Sequence, residues 1–456
     1  MLNESLLQSL VVAWLIAGAA VLLVQTKFGS GSGLVAAYFL ELIVLHWLAA
    51  AIYLVPGYYY LNPETIIDGL RESTYGFVGF CIGVLAATAW AYMRRDRSAR
   101  LAPAPAVVDT KRLRTYLVTG VFSYLVLTPL FANFPTLPAL ANAASGFVVV
   151  GLALVCWNQA HHGSRYGLLA ALLLVGLLPF ATIAAQGFMG YGLAAAAVVF
   201  AFVASFQKAS WRTVVGAGLA AYMGLTLYVT YMRDRSDIRD VVWGGSSIEA
   251  RAAQIVSTFA EMEPFDPNNF DHLRRVDMRL NQNFLVGMAV HNLQTNPDHF
   301  ANGRTLQDAL IALVPRFLWP NKPTLAGSGN IVSDFTGIRF AEGTSVGVGM
   351  VMELYINFGS TGVLVGLVIF GFILASIDRY SAQARDAGQW ATFALWFLPG
   401  VAMLQVGGSL VEVTSSAGAA LLVAVLVARI TDPRQLSGDP RRVGPRVKAE
   451  LSRRQA

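Results

Sequence analysis

The sequence predicts an all-α polytopic membrane protein of about eleven transmembrane helices, with one large helical extracytoplasmic segment between the eighth and the ninth. Three observations carry this. The 456 residues are 55% hydrophobic and only 13% charged, where a soluble chain carries about 25% charged residues. Apolar runs of roughly 20 residues, one bilayer crossing each, recur along the chain. A single long polar stretch, Met232 to Gly349, interrupts them.

In chain order the runs fall near 5–25, 33–55, 73–93, 115–133, 140–157, 167–186, 192–207, 213–231, 358–377, 392–410 and 413–430. The first lacks a basic leader or a convincing cleavage site and is expected to be a retained helix. Four regions follow: a bundle of eight spans over 1–231, an extracytoplasmic segment over 232–357, three further spans over 358–430, and a basic tail over 431–456. Ala102-Pro-Ala-Pro-Ala106 and the tail have linker composition.

Net charge is +6, but the excess sits in short connections and the tail. Arg94, Arg95, Arg97, Arg100, Lys111, Arg112 and Arg114 share one connection, and eight arginines or lysines follow Val427. That is the signature of membrane orientation and not of nucleic-acid binding. It places the C-terminus in the cytoplasm, and the N-terminus and the 232–357 segment on the opposite face. Cys81 and Cys156 both fall in predicted spans, so no disulfide framework and no cysteine-based zinc site is implied. Metalloprotease, P-loop, nucleophile-elbow and dinucleotide motifs are absent, and no metal or cofactor is expected. No internal repeat of the kind many transporters carry is visible.

Ionisable groups within spans are functional candidates or helix-to-helix hydrogen bonds, and Glu41 and His46 stand open between the two. In the polar segment, Met232–Asp240 alternates charge and reads as a solvated, self-paired helix start. Leu273–Asn292 reads as one amphipathic helix, with Arg275, Arg279 and Gln282 on one face at i, i+4, i+7. Two arginines there could hold a pyrophosphate bidentately, or simply snorkel to lipid headgroups. Pro315, Pro320 and Pro323 forbid continued helix and stiffen the backbone around Arg316, Trp319 and Lys322. Two cations and an indole at headgroup level suit a lipid-linked phosphate and a sugar ring, although Trp also favours the interface for no functional reason. Glu353 lies in an apolar run, where burial suits an acid or base. A structural ion pair is the alternative.

Pro315-Arg-Phe-Leu-Trp-Pro-Asn-Lys-Pro323, Phe300-Ala-Asn-Gly303 and Glu353-Leu-Tyr-Ile-Asn-Phe-Gly359 together resemble the Wzy-type oligosaccharide repeat-unit polymerases. Those enzymes belong with the O-antigen ligases to the C-type membrane glycosyltransferases. The motif resemblance runs from about Arg274 to Gly371. It implies a multi-pass protein of the bacterial inner membrane acting at the outer face on oligosaccharides linked to undecaprenyl pyrophosphate. The growing chain passes to the next unit, without nucleotide sugar, metal or other cofactor. The bilayer is the second partner, and a chain-length regulator and a flippase are candidate protein partners.

Given that reaction, charge and position assign the roles. Arg275, Arg279, Arg316 and Lys322 would stabilise the departing pyrophosphate. Glu353 is the first choice of base and His291 the second. Arg339, Tyr355 and Asn357 would line the sugar site. The alternatives are a ligase moving finished glycan from the same lipid, a transporter of lipid-linked sugars, and a receptor or scaffold.

Overall fold

The computed structural model describes residues 4–28, 31–94, 107–132, 134, 137–207, 211–314, 316, 318–323, 327–340 and 346–431. The predicted 102–106 linker and the basic tail after Thr431 lie outside these residues. Among the described residues the chain is all helix, without strands. Eight helices among the described residues are long and apolar enough to cross a membrane: α2 (Leu34–Leu54), α3 (Pro63–Met93), α4 (Thr110–Leu130), α5 (Leu137–His161), α6 (Arg165–Gln186), α8 (Trp211–Arg233, apolar from Val214), α15 (Met350–Asp386) and α17 (Leu410–Thr431). The predicted runs at 5–25, 192–207 and 392–410 fall on shorter apolar stretches, in α1 (Glu4–Phe28), α7 (Gly190–Phe206) and α16 (Trp390–Ala402). Six shorter helices make up most of the polar segment: α9 (Arg235–Trp243), α10 (Ile248–Ala260), α11 (Phe270–Leu280), α12 (Gln282–Thr295), α13 (Arg304–Ala312) and α14 (Ser328–Thr336).

At the centre stands α3. It starts ten residues before the predicted run, because Asn62 caps the Glu64 N–H and Pro63 takes the first helical position. Asp68 and Glu72, expected in a connection, therefore sit on a helix face. A seam of glycines lets other backbones touch α3 directly. A Cβ on Gly79 or Gly83 would meet the carbonyl of Leu364 or Val368 on α15 at 2.4 or 2.1 Å. On the neighbouring face, a Cβ on Gly69 would lie 1.9 Å from the Asn283 carbonyl, and one on Gly287 1.9 Å from the Thr65 carbonyl. Small residues at such crossings replace the hydrophobic drive that lipid cannot supply between helices. Rings fill the remaining space: Trp14 stacks on Phe77 at 4.2 Å, and Tyr38 packs on Phe80 and Phe370.

Two pieces of the polar segment are drawn down into this bundle. The predicted single helix over 273–292 is broken at Asn281, which holds non-helical φ −85° and ψ 83°. Its side chain caps the Asn283 N–H and donates to Asp277 and to the Ala49 carbonyl. Asn283 then bonds to His46 and Ser73, the latter about 15 Å of helix below Pro63. His46 is thus a hydrogen-bonded core residue, on a π-turn of α2 (Ile43–Leu48).

The second piece is the start of α15. The ninth span was expected to run straight from about 358. Instead Phe358 and Gly359 leave helical geometry, and Gly359 at φ 62°, ψ −159° occupies a region open essentially to glycine. The short arm Met350–Asn357 folds back, so that Leu354 packs against Gly366. In a straight helix those residues would be about 18 Å apart. The foot of the arm is tied by the Gly349 N–H to the Gly407 carbonyl and the Met350 N–H to the Val406 carbonyl.

Candidate functional site

Five arginines converge where α8 ends, α9 begins and α11 passes. Arg233, Arg235, Arg274, Arg275 and Arg279, with Met232 and Met278, line a cavity of about 300 Å³. Positions 274, 275, 278 and 279 share one side of α11 by helical spacing, while Leu273 and Val276 are buried on the other.

Two of the five are neutralised locally. Arg233 grips Asp234 with two hydrogen bonds at 2.8 and 3.0 Å, and Arg274 pairs with Asp271 at 3.1 Å. Arg275 donates to the Val229 carbonyl at 3.4 Å and feels the charge of Asp234, but no carboxylate touches it among the described residues. Arg235 and Arg279 have no hydrogen-bond or carboxylate partner among the described residues. Burial, then the neighbouring Arg235, pulls the Arg279 guanidinium below its ordinary pKa. Such a concentration of donors without acceptors suits an anion of two or more charges. Sequence reasoning found Arg275 and Arg279 but not Arg233, Arg235 and Arg274. The alternating run at 232–240 is self-paired at Arg233 and Asp234, as expected, and at Arg235 it is not.

The arginine face is held in place by Asp277, which is 2% exposed. Its Oδ2 accepts from the Tyr53 and Tyr58 hydroxyls at 2.6 and 2.9 Å, and its Oδ1 from Asn281 at 2.7 Å. Asp277→Ala leaves three buried donors without an acceptor. A loss of about 3 kcal/mol is expected, read as a lower unfolding temperature of the detergent-solubilised protein.

The other predicted residues occupy different places. Gln282 stands beyond the break at Asn281, off the arginine face, with its side chain beside Gly349 and Gly407. Its expected position one turn beyond Arg279 is corrected by that break. Lys322 donates to the carbonyls of Ala312 and Val314 at the end of α13, and Arg316 donates to the Lys322 carbonyl. Burial, then Arg316, lowers the Lys322 pKa. These two cations staple their own loop, with Trp319 exposed beside them. Pro315 and Phe317 of the same motif lie outside the described residues. Arg339 is exposed. Arg316, Trp319, Lys322 and Arg339 are all absent from the described lining of the arginine cavity.

Asn357 donates to Thr305 and to the Glu353 carbonyl and accepts from the Gly303 N–H. With the Ala301 N–H bonded to the Ile356 carbonyl, this fastens the Phe300–Gly303 turn to the arm. Glu353 is fully buried, and one carboxylate oxygen accepts from the Leu410 N–H at the start of α17 at 2.6 Å. His291 faces Asp68 instead, Nε2 to Oδ2 at 2.8 Å, with its side chain 40% exposed. Asp68 also pairs with Arg71 at 2.9 Å. Tyr355 lies within electrostatic range of Asp68 and Glu72. The structure thus brings His291 and Tyr355 to one place, and Arg275 and Arg279 to another. Among the described residues no group of three or more histidine, cysteine or acidic side chains could hold a metal ion.

Comparison with known proteins adds one finding. A family profile described as a domain of unknown function, DUF8712, matches residues 65–386, from the first turn of α3 to the last residue of α15. No curated protein and no solved structure matches the chain. The match takes in both the arginine cavity and the Asp68–His291 pair, and on its extent the chain belongs to the DUF8712 family.

Proposed function

We propose that the protein is a membrane glycosyltransferase that polymerises oligosaccharide repeat units carried on undecaprenyl pyrophosphate, at the outer face of the bacterial inner membrane. The observation that carries this is the arginine cavity. It sits at the end of an apolar helix, where a lipid-borne headgroup arrives, and three of its guanidiniums lack a carboxylate partner. In this reading the three shorter apolar helices also cross, giving eleven spans with the N-terminus outside and the C-terminus in the cytoplasm.

The donor pyrophosphate lies in the cavity. An acceptor hydroxyl attacks the anomeric carbon and the new glycosidic bond forms. The bond from that carbon to the pyrophosphate oxygen breaks, and its electron pair leaves with the lipid pyrophosphate. Arg235, Arg275 and Arg279 meet the charge that develops on that oxygen. The hydroxyl proton passes to water. His291, held by Asp68 on the Nε2 side of its ring, keeps its Nδ1 lone pair for a hydroxyl of the acceptor away from the reacting carbon. Glu353, enclosed and bonded to Leu410, holds the arm in place.

The test is reconstitution of the purified full chain in liposomes with undecaprenyl-pyrophosphate-linked repeat units and no nucleotide. A ladder of lipid-linked polymer is the expected product. A single transfer to a foreign acceptor without a ladder would instead make it a ligase. Movement of intact donor across the bilayer without turnover would make it a transporter.

A further inference from the structure

A second polar cluster lies where α3, α12 and the kink of α15 meet, and its chemistry is the reverse of the arginine cavity. Asp68 and Glu72 are one turn apart on α3. Asp68 binds Arg71 and His291, and Glu72 accepts from the Ser360 hydroxyl at 2.8 Å, just past the kink. Glu72 is 6% exposed, yet its second carboxylate oxygen is buried with no hydrogen-bond partner among the described residues. A buried carboxylate oxygen without a donor is costly and calls for an explanation. Aromatic residues lie on the arm and at the kink next to Ser360. Tyr355 is within electrostatic range of both carboxylates and packs 6.2 Å from Phe300, and Phe358, half exposed, sits at the kink itself.

This arrangement asks for a ligand with hydroxyl donors and an apolar ring face. An anion would meet two carboxylates. A metal would find only Asp68, Glu72 and a histidine already bonded to Asp68. We infer that the cluster of Asp68, Glu72, His291 and Tyr355 is a sugar-binding subsite, in which the orphaned Glu72 oxygen accepts from a ring hydroxyl and Tyr355, Phe300 and Phe358 supply ring contacts. Naming the sugar as the acceptor repeat unit rests on the polymerase reading, whereas sugar binding here does not. Asp68 is then a positioning residue, acting through the imidazole of His291.

The experiment uses the full chain in lipid nanodiscs with two separate probes. One is the lipid-free repeat-unit oligosaccharide, released by mild acid from the producing cell's own lipid-linked pool. The other is undecaprenyl pyrophosphate. Wild type binds the oligosaccharide saturably. Glu72→Gln weakens that binding tenfold or more, with undecaprenyl pyrophosphate binding and unfolding temperature unchanged. Tyr355→Phe, which keeps the ring, is the milder second variant and weakens it less. In turnover, Glu72→Gln raises KM for the acceptor and not for the donor. Oligosaccharide binding that is absent in wild type, or equal in both variants and wild type, overturns the subsite. So does calcium or magnesium alone titrating to wild type and not to Glu72→Gln when the oligosaccharide does not bind. If the oligosaccharide binds as expected and undecaprenyl pyrophosphate does not bind at all, the subsite stands and the polymerase reading falls.

Discussion

Replacing Arg279 by glutamine is expected to lower turnover by about 10²- to 10³-fold, the usual cost of removing one donor aimed at developing negative charge. Arg279 is the strongest test because it is held close to Arg235 with no carboxylate beside it. That placement is unfavourable in the resting protein and becomes favourable when a pyrophosphate enters. Removing the charge should therefore leave stability unchanged or slightly raised while activity collapses. Arg279→Lys keeps the charge but loses the planar fork, and should recover only part of the rate. Arg274→Gln, whose guanidinium is already paired with Asp271, should cost far less. Rates with lipid-linked donor, together with unfolding temperatures, separate these outcomes. Equal losses at Arg274 and Arg279 would contradict the assignment of the cavity.

Gly69→Ala and Gly287→Ala should be the most damaging substitutions for folding. Each Cβ would lie 1.9 Å from a backbone carbonyl on the opposing helix, and no rotamer change relieves a clash with backbone. Overpacking costs about 1–3 kcal/mol even where side chains can yield, and here α3 and α12 must separate. His46, Asn283 and Ser73 bond across the same interface, so their network opens with it. The expected result is a steep fall in membrane-inserted protein and loss of monodispersity in detergent. Gly57→Ala is the control for adding a methyl elsewhere, since its Cβ would meet nothing within 4 Å; that position has φ +82°, so a small cost is expected there as well. Wild-type yield from Gly69→Ala would show that the two helices are less closely held than described.

The helices were legible because apolar runs of bilayer length are a strong signal. What composition cannot show is where a helix breaks or doubles back. Asn281 and Gly359 do both, through one backbone conformation each: the first takes Gln282 off the arginine face, and the second folds the arm that carries Glu353 back on its own helix. The arginine pair at 275 and 279 was visible from its i, i+4 interval. Arg235 was hidden by the acidic residues on either side of it, which suggest neutralisation that the fold does not make. Asp68 and Glu72 were hidden by apolarity itself, since the predicted run began at 73. The Asn62-Pro63-Glu64 start signal was present and would have extended the helix over both. The triple-proline motif marked a real turn, whose cations bind that turn's own carbonyls.

The glycine seam also has a bearing on how the chain is made. Helix α3 leaves the ribosome early, but the backbones that cover its seam belong to α12 and α15, some two to three hundred residues later. Until α15 has been synthesised, the Gly79–Gly83 part of α3 has a bare groove facing lipid or a provisional neighbour. Chains interrupted before α15 should therefore be caught by membrane proteases, while those interrupted after it should persist. The late half of the sequence then acts as the checkpoint for assembly of the early half.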